Sequence, residues 1–164
     1  MSYQSWHDYG LGINFTDFEF ACNRADDPIT VEDIERLLKV APKLQRDVHE
    51  YIEGVKEDNP DVEIEVDDYR CFDPDGYGLE LAYIFAQAVS EAEGLTHVYA
   101  CDSYDNDHFV LFGQGYPWNL NEREKAITKE EVEGIFYKYL KILKPSLGET
   151  VNAEIDFQSV ENGG

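Results

Sequence analysis

The sequence predicts an α+β fold, with about four helices packed on one face of a largely antiparallel sheet of about 4–5 strands. Three observations carry this prediction. Helix-period and strand-period apolar patterns succeed one another along the chain in the order β-α-α-β-α-β-β-α-β. The residues are 43% hydrophobic and 13% aromatic, which at a length of 164 is enough to build a real core. No internal repeat or low-complexity linker divides the chain, so residues 1–164 are expected to form one domain, with 1–10 and 161–164 loose at its ends.

Each element has a local reason. LGINFTDFEF, residues 11–20, alternates well enough for a first strand, and the change of phase from Ile13 and Phe15 to Phe18 and Phe20 suggests a bulge or bend. Thr30 is placed to cap a helix with Val31, Ile34, Leu37 and Leu38 on its apolar side. Pro42 suits the start of a second helix, striped by Leu44, Val48, Tyr51, Ile52 and Val55, that ends before Asn59-Pro60. In DVEIEVDD, Val62, Ile64 and Val66 alternate with Glu63, Glu65 and Asp67, the pattern of a half-buried strand with carboxylates on its solvent face.

After the turn DPDGYG, residues 79–94 are apolar nearly all round, as expected of a buried central helix closed by Gly94. THVYACDSY and HFVLFG read as two strands of a hairpin turning at Asp105–Asp107. Thr128 with Glu131 matches a capping box, with Val132, Ile135, Phe136, Tyr139, Leu140 and Leu143 following at helical spacing until Pro145. TVNAEIDFQSV supplies a last strand.

Charge restricts the function classes. Asp and Glu number 35 against 13 Lys and Arg, a formal net charge of -22. Such a field repels nucleic acid and anionic membranes and attracts a basic partner. No apolar run approaches the roughly 20 residues of a membrane span. The start MSYQSWHDYG has no basic region followed by an apolar stretch, so no signal peptide is expected. Cys22, Cys71 and Cys101 are odd in number and lack a C-x-x-C pair, the pattern of reduced thiols in a cytoplasmic protein.

No catalytic motif is complete, and no cofactor is expected. His7, His49, His97 and His108 are scattered, and G-x-S-x-G, the P-loop and H-E-x-x-H are absent. His97 and His108 could face each other across the hairpin near Cys101 as part of a metal site in a small metal-dependent enzyme, although the spacing is generic. The aspartates of DPDG and of Asp102–Asp107 read as turn residues, because neither loop has the register of a calcium loop.

The acidic surface is the more informative feature. No Lys or Arg occurs between Arg70 and Arg123. If the hairpin neighbours the acidic strand, Glu63, Glu65, Asp67, Asp68, Asp73, Asp75, Asp102, Asp105 and Asp107 form one negative face. Alternate carboxylates on a strand stand roughly 6.6 Å apart, comparable with phosphates along a nucleic acid. Tyr104 and Trp118, in or beside loops, are candidate anchors within such an interface, as are Tyr3, Trp6, Tyr9 and Tyr116. The expected partner is a basic nucleic-acid-binding protein, with charge steering the encounter. A third possibility is an assembly protein that self-associates through its aromatic N-terminus.

Three segments, SYQSWHDYGLGI, YPWNLNEREKAITKEEV and IDFQSVENGG, together resemble small acidic proteins carried by phages and mobile elements of Gram-positive bacteria. Some proteins of that setting are anti-CRISPR inhibitors that imitate nucleic acid at the PAM-reading or guide-binding region of a Cas effector. The resemblance implies a non-enzymatic inhibitor of a Cas9-type nuclease, whose PAM-reading site is rich in Arg and Lys. It implies no catalytic residues.

Overall fold

The computed structural model describes residues 5–113 and 119–163. It has the α+β composition expected, with four strands and seven helices among the described residues. All four anticipated helices are present: α2 (Val31–Leu38), α3 (Pro42–Asp58), α5 (Glu80–Glu93) and α7 (Lys129–Leu143). Three further helices, α1 (Phe15–Arg24), α4 (Val66–Arg70) and α6 (Glu122–Ala126), were not anticipated.

The first strand is displaced. β1 spans Ser5–Asn14, so residues 5–10 belong to a strand and are not a loose segment. At Asn14 the backbone switches to helix, because the Asn14 side chain accepts the Asp17 N–H at 3.0 Å. Phe15, Phe18 and Cys22 then recur at helical spacing and are buried, leaving Phe20 56% exposed. The phase change in the sequence therefore marks a helix cap, not a bulge.

DVEIEVDD is not a strand. The sheet order is β2-β3-β1-β4, formed by β1, β2 (Val98–Asp102), β3 (His108–Gly113) and β4 (Asp156–Gly163), with every neighbour antiparallel. No edge of this sheet receives residues 61–65, and an alternating pattern without a hydrogen-bonding neighbour has nothing to hold it extended. Asp68 Oδ2 instead accepts the Glu65 N–H at 2.8 Å and opens α4. Val62 is left exposed while Tyr69 is buried.

Elsewhere the local signals hold. Thr30 and Asp33 form a full capping box on α2. Thr128 caps α7 by accepting the Glu131 N–H, while the Glu131 carboxylate returns to the Thr128 hydroxyl. Ala41 cannot cap α3, and Glu91 of α5 does so from a distance, accepting the Lys43 and Leu44 N–H groups at 2.9 Å each. Gly94 closes α5 in the left-handed conformation at φ 66°.

One face of the sheet presents Leu11, Ile13, Val98 and Val110 to the helices. There they join Phe15, Phe85 and Phe136 in the core, and α5 lies through its middle. Burial of Leu81, Ile84, Phe85 and Val89 on α5 contributes roughly 1.5–3 kcal/mol each before chain entropy is counted.

The opposite face is covered by the sheet itself. Leu111 and Val160 lie outside the main core, yet both are buried. Glu161 pairs with His7, and Tyr104 lies past the far end of β1. In a flat sheet these points would be separated by roughly 23 Å along the strands and roughly 14 Å across them. The Tyr104 N–H nevertheless donates to the Glu161 carbonyl at 2.9 Å. Asn162 Nδ2 donates to Asp102 at 2.8 Å, and the Tyr99 hydroxyl to Asp8 at 2.8 Å. The outer halves of β1 and β4 therefore curl over the β2–β3 hairpin.

Glycines permit the close approach. A Cβ on Gly12 would lie 2.0 Å from the Val110 carbonyl oxygen, and one on Gly10 2.2 Å from that of Phe112. The same curl explains why Glu161, Asn162 and Gly163, expected as a loose tail, are part of β4.

Candidate interaction surface

α1 bridges the hairpin turn and the acidic loop at one end of the molecule. β2 returns alongside α5, which carries the turn at 103–107 to the end where α5 begins. That turn rests on the start of α1: the His108 N–H donates to Thr16 Oγ1 at 2.7 Å, and Asn14 Nδ2 to Asp107 Oδ2 at 3.1 Å. One helical turn further, Glu19 accepts from Arg70 Nη2 at 2.6 Å. Arg70 also reaches Glu80 Oε2 at 3.4 Å and Asp67 Oδ1 at 3.5 Å. α1 thus joins the two acidic regions through Thr16 and Glu19.

Arg70 is the hub of this end. Burial works against its charge, but the Glu19 hydrogen bond and the three carboxylates outweigh it and raise the guanidinium pKa above its ordinary value. Glu80, one of the three, sits at φ 55°, a left-handed conformation costly for a residue with a Cβ. The cation is fully engaged within the protein.

The anticipated acidic residues fall into two groups. Asp68 opens α4; Asp73 accepts the Tyr77 and Gly78 N–H groups at 3.1 and 2.9 Å; Asp102 and Asp107 accept from Asn162 and Asn14. These four are half-buried and hold local structure, as expected of turn and cap residues. Glu63, Glu65, Asp67, Asp75 and Asp105 are exposed. Among the described residues, of these five only Asp67 has a cationic partner, Arg70.

Glu91 and Glu93 of the base-free segment do not join this surface. Glu91 caps α3, and Glu93 is held by Arg123, Lys138 and the Tyr139 hydroxyl. Burial disfavours the Glu93 carboxylate, yet these donors leave its pKa below the ordinary value.

The histidine pair does not form. His97 precedes β2 and its backbone carbonyl accepts from Gly113, whereas His108 pairs with Asp102 at the other end of the hairpin. His97 is held by Glu124, whose carboxylate takes its backbone N–H at 2.8 Å and lies 3.1 Å from Nδ1. Burial pushes the Cys101 thiol up to about 12 and the Cys22 thiol up to about 11, so neither is a ready thiolate. Among the described residues no group of three His, Cys, Asp or Glu side chains is arranged to hold a metal ion.

Tyr104 is 72% exposed at the hairpin tip, where a candidate anchor was expected. Trp118, with Tyr3 and Tyr116, lies outside the described residues. Tyr77, at 73%, and Phe20, at 56%, are further exposed aromatics of this end. Tyr77 had a sequence signal, since it stands in a glycine-flanked turn and turns run over the surface. Phe20 had none, because its exposure follows from the register of α1. Among the described residues no helix is long and apolar enough to cross a membrane. Comparison with protein-family models, with curated proteins and with solved structures finds no match to this chain.

Proposed function

We propose that this protein is a non-enzymatic inhibitor acting in the cytoplasm of a bacterial host. Its acidic end occupies the basic groove of a nucleic-acid-binding protein, most concretely a Cas9-type nuclease. The observation that carries this reading is the mismatch of charge at that end. Residues 71–122 contain no Lys or Arg, and the adjacent Arg70 is already engaged by Glu19, Asp67 and Glu80. Glu63, Glu65, Asp75 and Asp105 therefore face solvent without a cation, and a partner rich in Arg and Lys would supply what the fold does not. Self-repulsion of this kind opposes folding, and a bound basic groove relieves it.

The structure changes which residues test the proposal. Reversing Glu65 or Asp67 would disturb the start of α4 or the Arg70 hub, whereas Glu63, Asp75 and Asp105 make no side-chain hydrogen bond among the described residues. The tagged protein is mixed with host lysate, with and without competing duplex DNA. A basic nuclease should be captured, be displaced by the DNA, and be lost as salt rises. A Glu63→Lys, Asp75→Lys, Asp105→Lys variant should keep its circular dichroism and capture nothing. Capture that survives the three reversals, or that DNA leaves unchanged, refutes the reading.

A further inference from the structure

β1 and β4 separate where β1 ends, and the separation leaves backbone unpaired. In their ladder Gly12 faces Asp156, so a continued β1 would set Asn14 against Glu154. Asn14 instead caps α1 and the chain turns away, while residues 152–155 lead into β4 outside any ladder. The N–H and C=O groups of Asn152, Ala153, Glu154 and Ile155 make no hydrogen bond among the described residues. Between this stretch and α1 lies a cleft of about 440 Å³. Ligand pockets span about 300–1,000 Å³.

The cleft has an apolar floor and charged walls. Ile13, Phe18 and Phe109 supply the apolar surface. Asp17, Ala21 and Arg24 recur at i, i+4 and i+7 of α1 and form one wall, whose middle the small Ala21 leaves open. Arg24 is the informative member. Among the described residues it has neither an acidic partner nor a side-chain hydrogen bond, whereas Arg36, Arg46, Arg70 and Arg123 each lie against a carboxylate. A guanidinium left free in a chain with 35 acidic residues is suited to a carboxylate that the chain does not supply. Asp17 stands about 10.5 Å from it along the helix axis, at 1.5 Å per residue. About three residues of extended peptide cover that distance.

We propose that this cleft binds the C-terminal end of an extended peptide. Arg24 holds the terminal carboxylate, the free backbone groups of residues 152–155 bond the peptide backbone, and Asp17 meets a basic side chain about three residues earlier. Glu154 and Asp156, exposed on the other wall, favour the same basic peptide over an acidic one. A second copy of so acidic a chain would bring like charge to them. Glu63, Glu65, Asp67, Asp75 and Asp105 do not line the cleft, so this binding goes beyond the inhibitor reading and does not depend on it.

Fluorescein-labelled Val-Lys-Val-Thr-Val, titrated with the full chain and followed by anisotropy, tests it. The free acid should bind about ten-fold more tightly than its C-terminal amide. The same peptide with Glu in place of Lys should also bind more weakly. Arg24→Gln should remove the preference for acid over amide and keep the wild-type circular dichroism, because Arg24 is exposed. Ala21→Leu, a substitution between good helix formers that fills the middle of the wall, should abolish binding of every peptide. No binding by the wild type up to about 1 mM, equal affinity for acid and amide, or a preference that survives Arg24→Gln overturns the site. Dimerisation of the wild type that Ala21→Leu abolishes assigns the cleft to a second copy and overturns it too. Each of these results leaves the inhibitor reading to the lysate capture described above.

Discussion

Lys144 is a buried cation whose removal should be costly. It is 3% exposed, and its Nζ donates to Asp27 at 2.7 Å, to Asp33 at 2.8 Å and to the Pro28 carbonyl at 2.9 Å. In Lys144→Met the stem still packs, but these three bonds are lost. Asp33, itself 5% exposed, keeps only Arg36 and the Thr30 N–H, each at 3.0 Å. Breaking a buried pair from one side costs about 3–5 kcal/mol. Asp27 retains access to water, so it adds little to the loss. The remaining donors on Asp33 place the cost near the lower end, about 3 kcal/mol. Urea unfolding followed by circular dichroism should show the midpoint falling by about 1–2 M, with an unchanged slope.

The pH dependence gives an independent reading of the same contact. Burial opposes the Asp33 charge, but hydrogen bonds from Lys144, Thr30 and Arg36 outweigh it and lower its pKa. A carboxyl lowered on folding adds stability above its unfolded value, near 4, and that stability is lost as pH falls through the folded value. Burial likewise opposes the Lys144 charge, and Asp27 with Asp33 raises its pKa in spite of it. That contribution is complete below the unfolded lysine value, about 10.4, and fades only as pH rises through the still higher folded one. The gap between wild type and Lys144→Met should therefore be full between about pH 5 and 9 and should narrow below about pH 4. A loss under about 1 kcal/mol at pH 7, or a gap that widens in acid, would refute the coupling of these ions to folding.

Two further perturbations follow from the fold. Gly12→Ala drives a Cβ against the Val110 carbonyl in the neighbouring strand, and thermal melts should register a loss of about 3 kcal/mol, whereas exposed Gly54→Ala on α3 should be neutral or stabilising. Arg70→Ala leaves Glu19, Asp67 and Glu80 facing one another; it should lower the melting temperature and make stability rise more steeply with added NaCl than in the wild type, in urea midpoints measured across salt concentrations.

The curl of the sheet also bears on self-association. Because β1 starts at Ser5 and is flanked by β3 and β4, deleting residues 1–9 would remove half of a central strand. Light scattering of such a truncation would report unfolding. A Tyr9→Ser substitution, at a residue 54% exposed, is the cleaner probe of an N-terminal contact surface.

Local chemistry by itself determined the four principal helices, the hairpin and the α+β class. Caps at Thr30 and Thr128, the left-handed Gly94 and the apolar stripes all act within a few residues, so they are readable without knowing what lies across the core. Segments whose state depends on a distant partner were decided by tertiary structure alone. WHDYG and VENG pair as strands despite their glycines and polar residues, because β1 and β4 supply each other's hydrogen bonds. VEIEV has the alternation of a strand but meets no sheet edge, so capping by Asp68 prevails. The same holds for the surface: composition announced an excess of carboxylates, while the contacts through α1 and Arg70 decided that loop and hairpin share one end. Charge is a property of the sequence, but its arrangement in space requires contacts between residues far apart along the chain.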